Sequence, residues 1–259
     1  EWAGLVDRQG AKDLGEVILM PGLVNAHCHL EYSNFVGAIP EPSSFTDWIR
    51  AMVDLRHEVD DADHCQSWLC GARQSLRYGV TTMGNIETRR DLLPQLWAQT
   101  PLRMISYLEL IVLRAKSDSR REVRVANDWA CAHSPQRGCV GLSPHAPYTT
   151  KSDLLEACSK LIGVPLAMHL AESAEEDEMF RQGSGAMYEM MASAGRDMSD
   201  CGKKSPLAHA ASFGVLNDRL LGIPGNYLND ADIQTLANSG ASLVHCPRSH
   251  RYFNHAAFR

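Results

Sequence analysis

The chain has 259 residues, 44% of them hydrophobic and 22% charged, with a formal net charge of −6. This is an ordinary globular composition; the negative balance argues against nucleic acid or an anionic membrane as partner, and no apolar run approaches the length of a membrane span. The length suits one large α/β domain, since a barrel of eight β/α units takes about 250 residues. The N-terminal EWAGLVDRQG lacks a charged-then-apolar signal pattern. Eight scattered cysteines, none in a CxxC pair, are expected as reduced thiols of a cytoplasmic protein.

Residues 1–16 are polar-mixed, with Gly4, Gly10 and Gly15, and look like the tail of something that began earlier. Val17–Leu30 is predicted as the first buried strand. It starts with Val17-Ile18-Leu19-Met20, passes Pro21-Gly22 and carries His27 and His29. Residues i and i+2 of a strand share a face, so both imidazoles can reach one metal ion. An isolated HxH is more often a pair of ordinary histidines; the apolar run before it and the histidines after it reverse that preference.

Tyr32–Pro42 is a loop, and Ser43–Asp47 opens a helix that runs to about Val59. Asp61–Tyr78 is a second helix, with Trp68, Leu69, Ala72 and Leu76 on its apolar side and Gly79 closing it. Val80–Gly84 is strand two, Asp91–Gln99 a helix and Leu102–Leu110 strand three. Lys116–Ala132 is a charged helix with a solvated face. Strand four, Gly138–Leu142, runs into Ser143–Tyr148, and Thr149–Asp153 begins the next helix. Pro165–His169 is strand five, followed by a helix over Glu172–Phe180 whose acidic start suits a helix N-terminus. Strand six spans Leu220–Leu228, a helix Asp230–Ser239, and strand seven Ala241–Cys246.

Near-continuous apolar strands alternating with helices predict a parallel sheet covered on both faces. His27, His29, His145, His169 and His245 all fall at strand C-terminal ends, the end at which a (β/α) barrel carries its active site. The fold expected is therefore a TIM-type (β/α)8 barrel with seven of its eight units evident. A doubly wound sheet would not explain histidine at so many strand ends.

The ordered segments PGLVNAHCHLE, GLSPHAPYT, AMHLAES and VHCPRSH resemble the amidohydrolase superfamily, in its branch of cyclic-amidine deaminases and chlorohydrolases. HLEYS, with Phe45–Trp48 after it, resembles the aminodeoxyfutalosine deaminase group within that branch. The resemblance implies His27, His29 and His169 as ligands of one divalent metal ion, zinc first and iron as the alternative. It also implies an aspartate after strand eight and a histidine at the end of strand six, where this sequence has Pro224. By the same resemblance residues 1–16 would be the remnant of a small β-sandwich domain and 17–259 the barrel without its C-terminal part. The expectation is a truncated chain.

A metal-bound water, its pKa lowered towards ~7, is the nucleophile such a deamination needs. Glu172, in the HLAE motif, can carry the proton from water to the ring nitrogen and the departing ammonia; Glu175, Glu176, Asp177 and Glu178 are better read as an acidic helix start. His145, between Pro144 and Pro147, is assigned a substrate contact, with packing against Tyr148 as the competing reading. Glu31 would suit ribose hydroxyls and Arg248 an acidic substituent; a surface ion pair competes for each. His57, His64, His133 and His209 are read as ordinary, and packing is favoured for His245, His250 and His255. The function expected is metal-dependent deamination of an adenine-like nucleoside or related ring. Chlorohydrolase or amidase chemistry on the same scaffold, or a metal-binding remnant, are the alternatives. A small-molecule substrate is the partner expected, with no nucleic acid and no membrane, and homodimer formation left open.

Overall fold

A computed structural model describes residues 12–114 and 116–258. Seven parallel strands form one sheet in sequence order: β1 (Leu23–Cys28), β2 (Val80–Glu87), β3 (Arg103–Leu110), β4 (Gly138–Pro144), β5 (Leu166–Leu170), β6 (Leu220–Pro224) and β7 (Ser242–Leu243). The helices are α1 (Phe45–His57), α2 (Asp61–Arg77), α3 (Leu93–Trp97), α4 (Ser119–Ala132), α5 (Ser152–Ser159), α6 (Ala174–Gln182), α7 (Ala186–Ser193), α8 (Pro206–Ala211), α9 (Asp230–Ser239) and α10 (Pro247–Tyr252). Among the described residues no helix is long and apolar enough to cross a membrane. All eight cysteines are free thiols. The expected β-sandwich remnant at 1–16 lies largely outside the described residues.

Side chains at strand starts and on the helices facing them build the main core, with Trp68, Leu93, Leu96, Met104, Leu142 and Leu166 fully buried. Helix starts follow local chemistry. Ser44, Asp60, Asp118, Ser173, Ser205 and Asn229 each accept a backbone N–H of the first turn through the side chain, meeting donors that the helix leaves unpaired.

The sheet is curled, and the curl is measurable. Neighbouring strands lie about 4.8 Å apart, so four spacings from β1 to β5 span roughly 19 Å in a flat sheet. Nε2 of His29, just past β1, and Nε2 of His169, on β5, are 3.4 Å apart. Only a sheet bent toward closure brings them together, which is the seven-strand arc of a (β/α) barrel.

Several boundaries differ from expectation. Val17–Met20 is not a buried strand: Ile18 is 92% and Leu19 79% exposed, and β1 begins only at Leu23. Pro21 has no N–H for a ladder, and no strand pairs with residues 17–22 among the described residues. Strand six stops at Pro224, again a residue with no ladder donor, and Gly225 follows at φ 68°. Strand seven is two residues long, because Pro247 starts a helix soon after it. Strand two runs three residues further than expected, through Asn85, Ile86 and Glu87. The helix after strand five starts at Ala174, not Glu172, because Ser173 is its cap.

At Gly84 strand β2 passes close against β1: a β-carbon there would run into the Ala26 carbonyl oxygen. Gly84→Ala should therefore destabilise the fold by the ~1–3 kcal/mol typical of overpacking, read as a fall of several degrees in the thermal midpoint. An unchanged midpoint would show that the two strands are free to part.

Glu87 is buried on β2, where Trp68 Nε1 donates to Oε2 (3.0 Å) and Ser106 Oγ to Oε1 (2.8 Å). Burial pushes its carboxyl up to about 8, against the pull of these bonds. The folded chain then holds a proton that the unfolded chain releases above its ordinary 4.5. Glu87 thus weakens the fold increasingly as pH rises from that value through about 8. Glu87→Gln should gain stability relative to wild type at pH ~8 compared with pH ~5 in urea unfolding. An equal difference at both pH values would contradict the raised carboxyl.

Candidate functional site

Strand ends assemble the site. β1 delivers His27 and His29, β5 delivers His169, and one ring nitrogen from each lies within 4.8 Å of the others. The rings meet edge to face and in stacks, with centroids 5.0 to 5.3 Å apart. Two nitrogens bound tetrahedrally to one zinc at ~2.1 Å lie about 3.4 Å apart, the spacing found between His29 Nε2 and His169 Nε2. Burial pushes His27 and His29 well below the usual imidazole range, and His169 to about 3. All three rings are therefore neutral at pH 7, with lone pairs available to a metal. Among the described residues no other group of three such donors comes together.

The backbone after β5 is shaped by one unusual residue. Ala171 adopts φ 50°, a left-handed conformation that costs a non-glycine residue about 1 kcal/mol or more and tends to persist at functional sites. Leu170 and Ala171 carbonyls accept from Gly225 N and Tyr227 N, each at 3.0 Å, which holds the turn. Glu172 follows. Its N–H donates to Glu176 Oε2 (2.7 Å), and its carbonyl accepts from Asn226 Nδ2 (2.9 Å). Burial pushes the Glu172 carboxyl up to about 8, and its charge raises the Cys246 thiol and the Tyr148 hydroxyl beyond their own burial effects.

His145 follows β4, and its carbonyl accepts from His169 N at 2.7 Å. That bond draws the two rings to 4.9 Å. Its Nδ1 lies 2.7 Å from Thr149 Oγ1, and burial takes its pKa to about 3. The ring also meets Tyr148 edge to face at 5.8 Å, so the packing contact and the position beside the histidines coexist.

Glu31 is 2% exposed and not on the surface. Thr88 donates to it from the hydroxyl (2.8 Å) and the amide (3.3 Å). Burial, with Glu109 nearby, raises its carboxyl to about 7. A cavity of about 350 Å3 opens there, with Glu31, Tyr32, Arg56, His64 and Thr88 among its walls. The Tyr32 ring, one wall of this cavity, stacks on His29 at 5.3 Å. Arg248 does not join the group: it is exposed on the first turn of α10. His245, His250 and His255 pack ring against ring, and His245 stacks on Phe258 at 3.9 Å.

Sequence reasoning passed over Glu109, Arg56 and Asn226. Glu109 ends β3 beside His145, with Oε1 3.8 Å from Nε2, and Arg56 reaches its other oxygen from α1, also at 3.8 Å. Asn226, after β6, links the Glu172 carbonyl to His250 Nδ1 (3.1 Å). A carboxylate near the end of an apolar strand, as in SYLEL, was the available signal for Glu109. Arg56 had none, being one of several basic residues along its helix.

A family model described as the amidohydrolase family matches residues 18–258. A 5-methylthioadenosine/S-adenosylhomocysteine deaminase of Symbiobacterium thermophilum is 27% identical over 247 residues, 90% of this chain and 51% of its own length. An aminodeoxyfutalosine deaminase of Deinococcus radiodurans is 28% identical over 267 residues, 96% of this chain and 61% of its own. The chain thus spans about half to three-fifths of the length of these relatives. Among solved structures, an adenosine deaminase of Xanthomonas campestris with bound zinc superposes with a TM-score of 0.71 at 22% identity, covering 92% of this chain and 52% of that one; this likeness speaks to the fold.

Zinc added to the chain should bind at a single site and raise the thermal midpoint. His29→Ala and His169→Ala should each lose that metal on dialysis, as read by elemental analysis. Undiminished zinc in both variants would place the ion elsewhere.

Proposed function

The chain belongs to the amidohydrolase family, and from that premise we propose that it hydrolyses a cyclic amidine, an adenine-like ring carried on a nucleoside, releasing ammonia. The observation that carries the proposal is the gathering of His27, His29 and His169 ring nitrogens beside the strained turn that presents Glu172. The nucleoside is suggested by relatives named as deaminases of methylthioadenosine, S-adenosylhomocysteine and aminodeoxyfutalosine.

The three histidines would hold one divalent ion, with zinc favoured by three imidazole donors at this spacing. When bound, the ion supplies a water acidic enough to attack the amidine carbon near neutral pH. Glu172 would take the attacking water's first proton on a carboxylate oxygen and pass it to the ring nitrogen, where it stays; the adduct's hydroxyl proton then goes by the same carboxylate to the amine, whose C–N bond breaks to release ammonia and leave a ring carbonyl. The Glu172 carboxyl, raised to about 8, sits near working pH, where a group can both hold and release a proton. His145 fixes the ring from the β4 side. Glu31 accepts from sugar hydroxyls in the cavity that it lines with Tyr32 and Thr88. Burial excludes water around these polar groups and strengthens their contacts. Arg248, exposed on α10, carries no step.

Glu172→Gln should keep the zinc and lose about 10²–10⁴-fold in turnover, measured as ammonia released from a panel of purine nucleosides. Turnover within a few-fold of wild type would remove Glu172 from proton transfer. Zinc-loaded wild type inert on the whole panel would overturn the deaminase proposal.

A further inference from the structure

Glu109 lies on the face of the sheet that carries the site. Two residues before it on β3, Tyr107 packs with Ile86, Ala167 and Ile223 in a small apolar cluster, and residues two apart on a strand share a face. The same step takes Ala167 to His169 on β5. The Glu109 side chain is 5% exposed, yet among the described residues neither of its oxygens takes part in a hydrogen bond. Oε1 stands 3.8 Å from His145 Nε2, and Oε2 3.8 Å from Arg56 Nη1, both too long for one. Other buried carboxyls are served: Thr88 donates to Glu31, and Trp68 and Ser106 donate to Glu87. A buried acceptor left unmet carries a desolvation cost, which a ligand supplying the missing donor removes.

Both gaps have the same width. An oxygen about 2.8 Å from each end fits between two polar atoms at this separation. A hydroxyl suits both places, because it can donate to the carboxyl while accepting from a guanidinium or an imidazole N–H. Ionised or neutral, the carboxyl keeps free lone pairs for that donation. The Arg56 guanidinium lies over the Tyr32 ring and makes no hydrogen bond of its own among the described residues, so its donors are open to a ligand oxygen. Two hydroxyls that meet the two oxygens of one carboxyl sit side by side, as on adjacent carbons of a sugar ring. Arg56 also walls the cavity of about 350 Å3 that Glu31 lines, so the Glu109 carboxyl extends the place already given to the sugar.

We propose that Glu109 is a specificity-determining residue whose two oxygens accept from vicinal hydroxyls of the substrate's sugar. The inference rests on the proposed function for the nucleoside and adds a preference to it, for ribonucleosides over their 2′- and 3′-deoxy forms. Removing one such hydroxyl leaves a buried acceptor unmet and costs about 10–100-fold in kcat/KM or Kd.

Turnover and binding are read separately on the zinc-loaded full chain. Ammonia release is measured with adenosine and its 2′- and 3′-deoxy forms. Calorimetric Kd is measured with inosine and its deoxy forms, which carry the same sugars and no leaving amine. Wild type should lose about 10–100-fold for each deoxy sugar, and Glu109→Ala should bring each loss to within about two-fold. A merely structural Glu109 lowers all values alike and leaves the ratios unmoved, which overturns the proposal; so does a wild type indifferent to the deoxy sugars. Ammonia release with ratios unmoved by Glu109→Ala overturns the sugar contact and leaves deamination standing. The expected Kd ratios without ammonia uphold the contact and overturn deamination, and no nucleoside bound at all overturns both. Should Glu109→Ala fail to fold, Glu109→Gln, which exchanges one oxygen for an N–H donor, should cancel the loss for one of the two hydroxyls. Unchanged ratios there also overturn the proposal.

Discussion

The 3.4 Å contact between His29 Nε2 and His169 Nε2 joins strands that have three others between them in the sheet. Every other feature of the site depends on the curl that permits it. Parallel strands coil because of their right-handed twist and because helices cover the outer face. The bend requires close passages at a few points. Gly84 lets β1 lie against β2 at Ala26, and Gly141 sits where a β-carbon would crowd Tyr107 and the Pro165 carbonyl. With the arc in place, strand ends that are distant in sequence face one small volume.

That volume is polar and largely shut off from water, and both properties follow from the arc. Four histidines and the carboxyls of Glu31, Glu109 and Glu172 sit where burial favours their neutral forms. Desolvation disfavours charge on either kind of group, so imidazoles move down and carboxyls up. The outcome is a set of neutral nitrogen donors beside carboxyls whose ionisation burial opposes. Arg56 is the counterweight, set among Glu31, Glu109 and Tyr32. Local strain is concentrated at the same place, in the left-handed Ala171 between the histidine of β5 and Glu172.

Asn226 shows how the β6 end is used in this chain. Pro224 ends the strand paired with Leu170, and two residues later Asn226 is 5% exposed between the Glu172 carbonyl and His250. The β6 end thus braces the turn that carries Glu172. The three C-terminal histidines form a ring-packed cluster beyond it, tied in through His250 and Asn226 and through Tyr227 and His255.

The sequence by itself determined the strand order, the parallel sheet and seven of the ten described α-helices, all but α7, α8 and α10, and its motifs carried the family resemblance that implies the pairing of HxH with the histidine of HLAE. These rest on local periodicity and short motifs, in which neighbours in the chain set the physics. It could not place β1's start, because the apolar run Val17–Met20 has the composition of a buried strand and only the absence of a paired strand among the described residues leaves it exposed. Nor did it separate Glu31 from Arg248. Each is one charged residue near a motif, yet the fold buries the first beside Thr88 and turns the second outward on α10. Glu109, Arg56 and Asn226 were decided by tertiary structure alone. Their importance lies in which side chains the curled sheet and α1 bring within about 4 Å of one another, and contacts of that kind leave no periodicity in the chain.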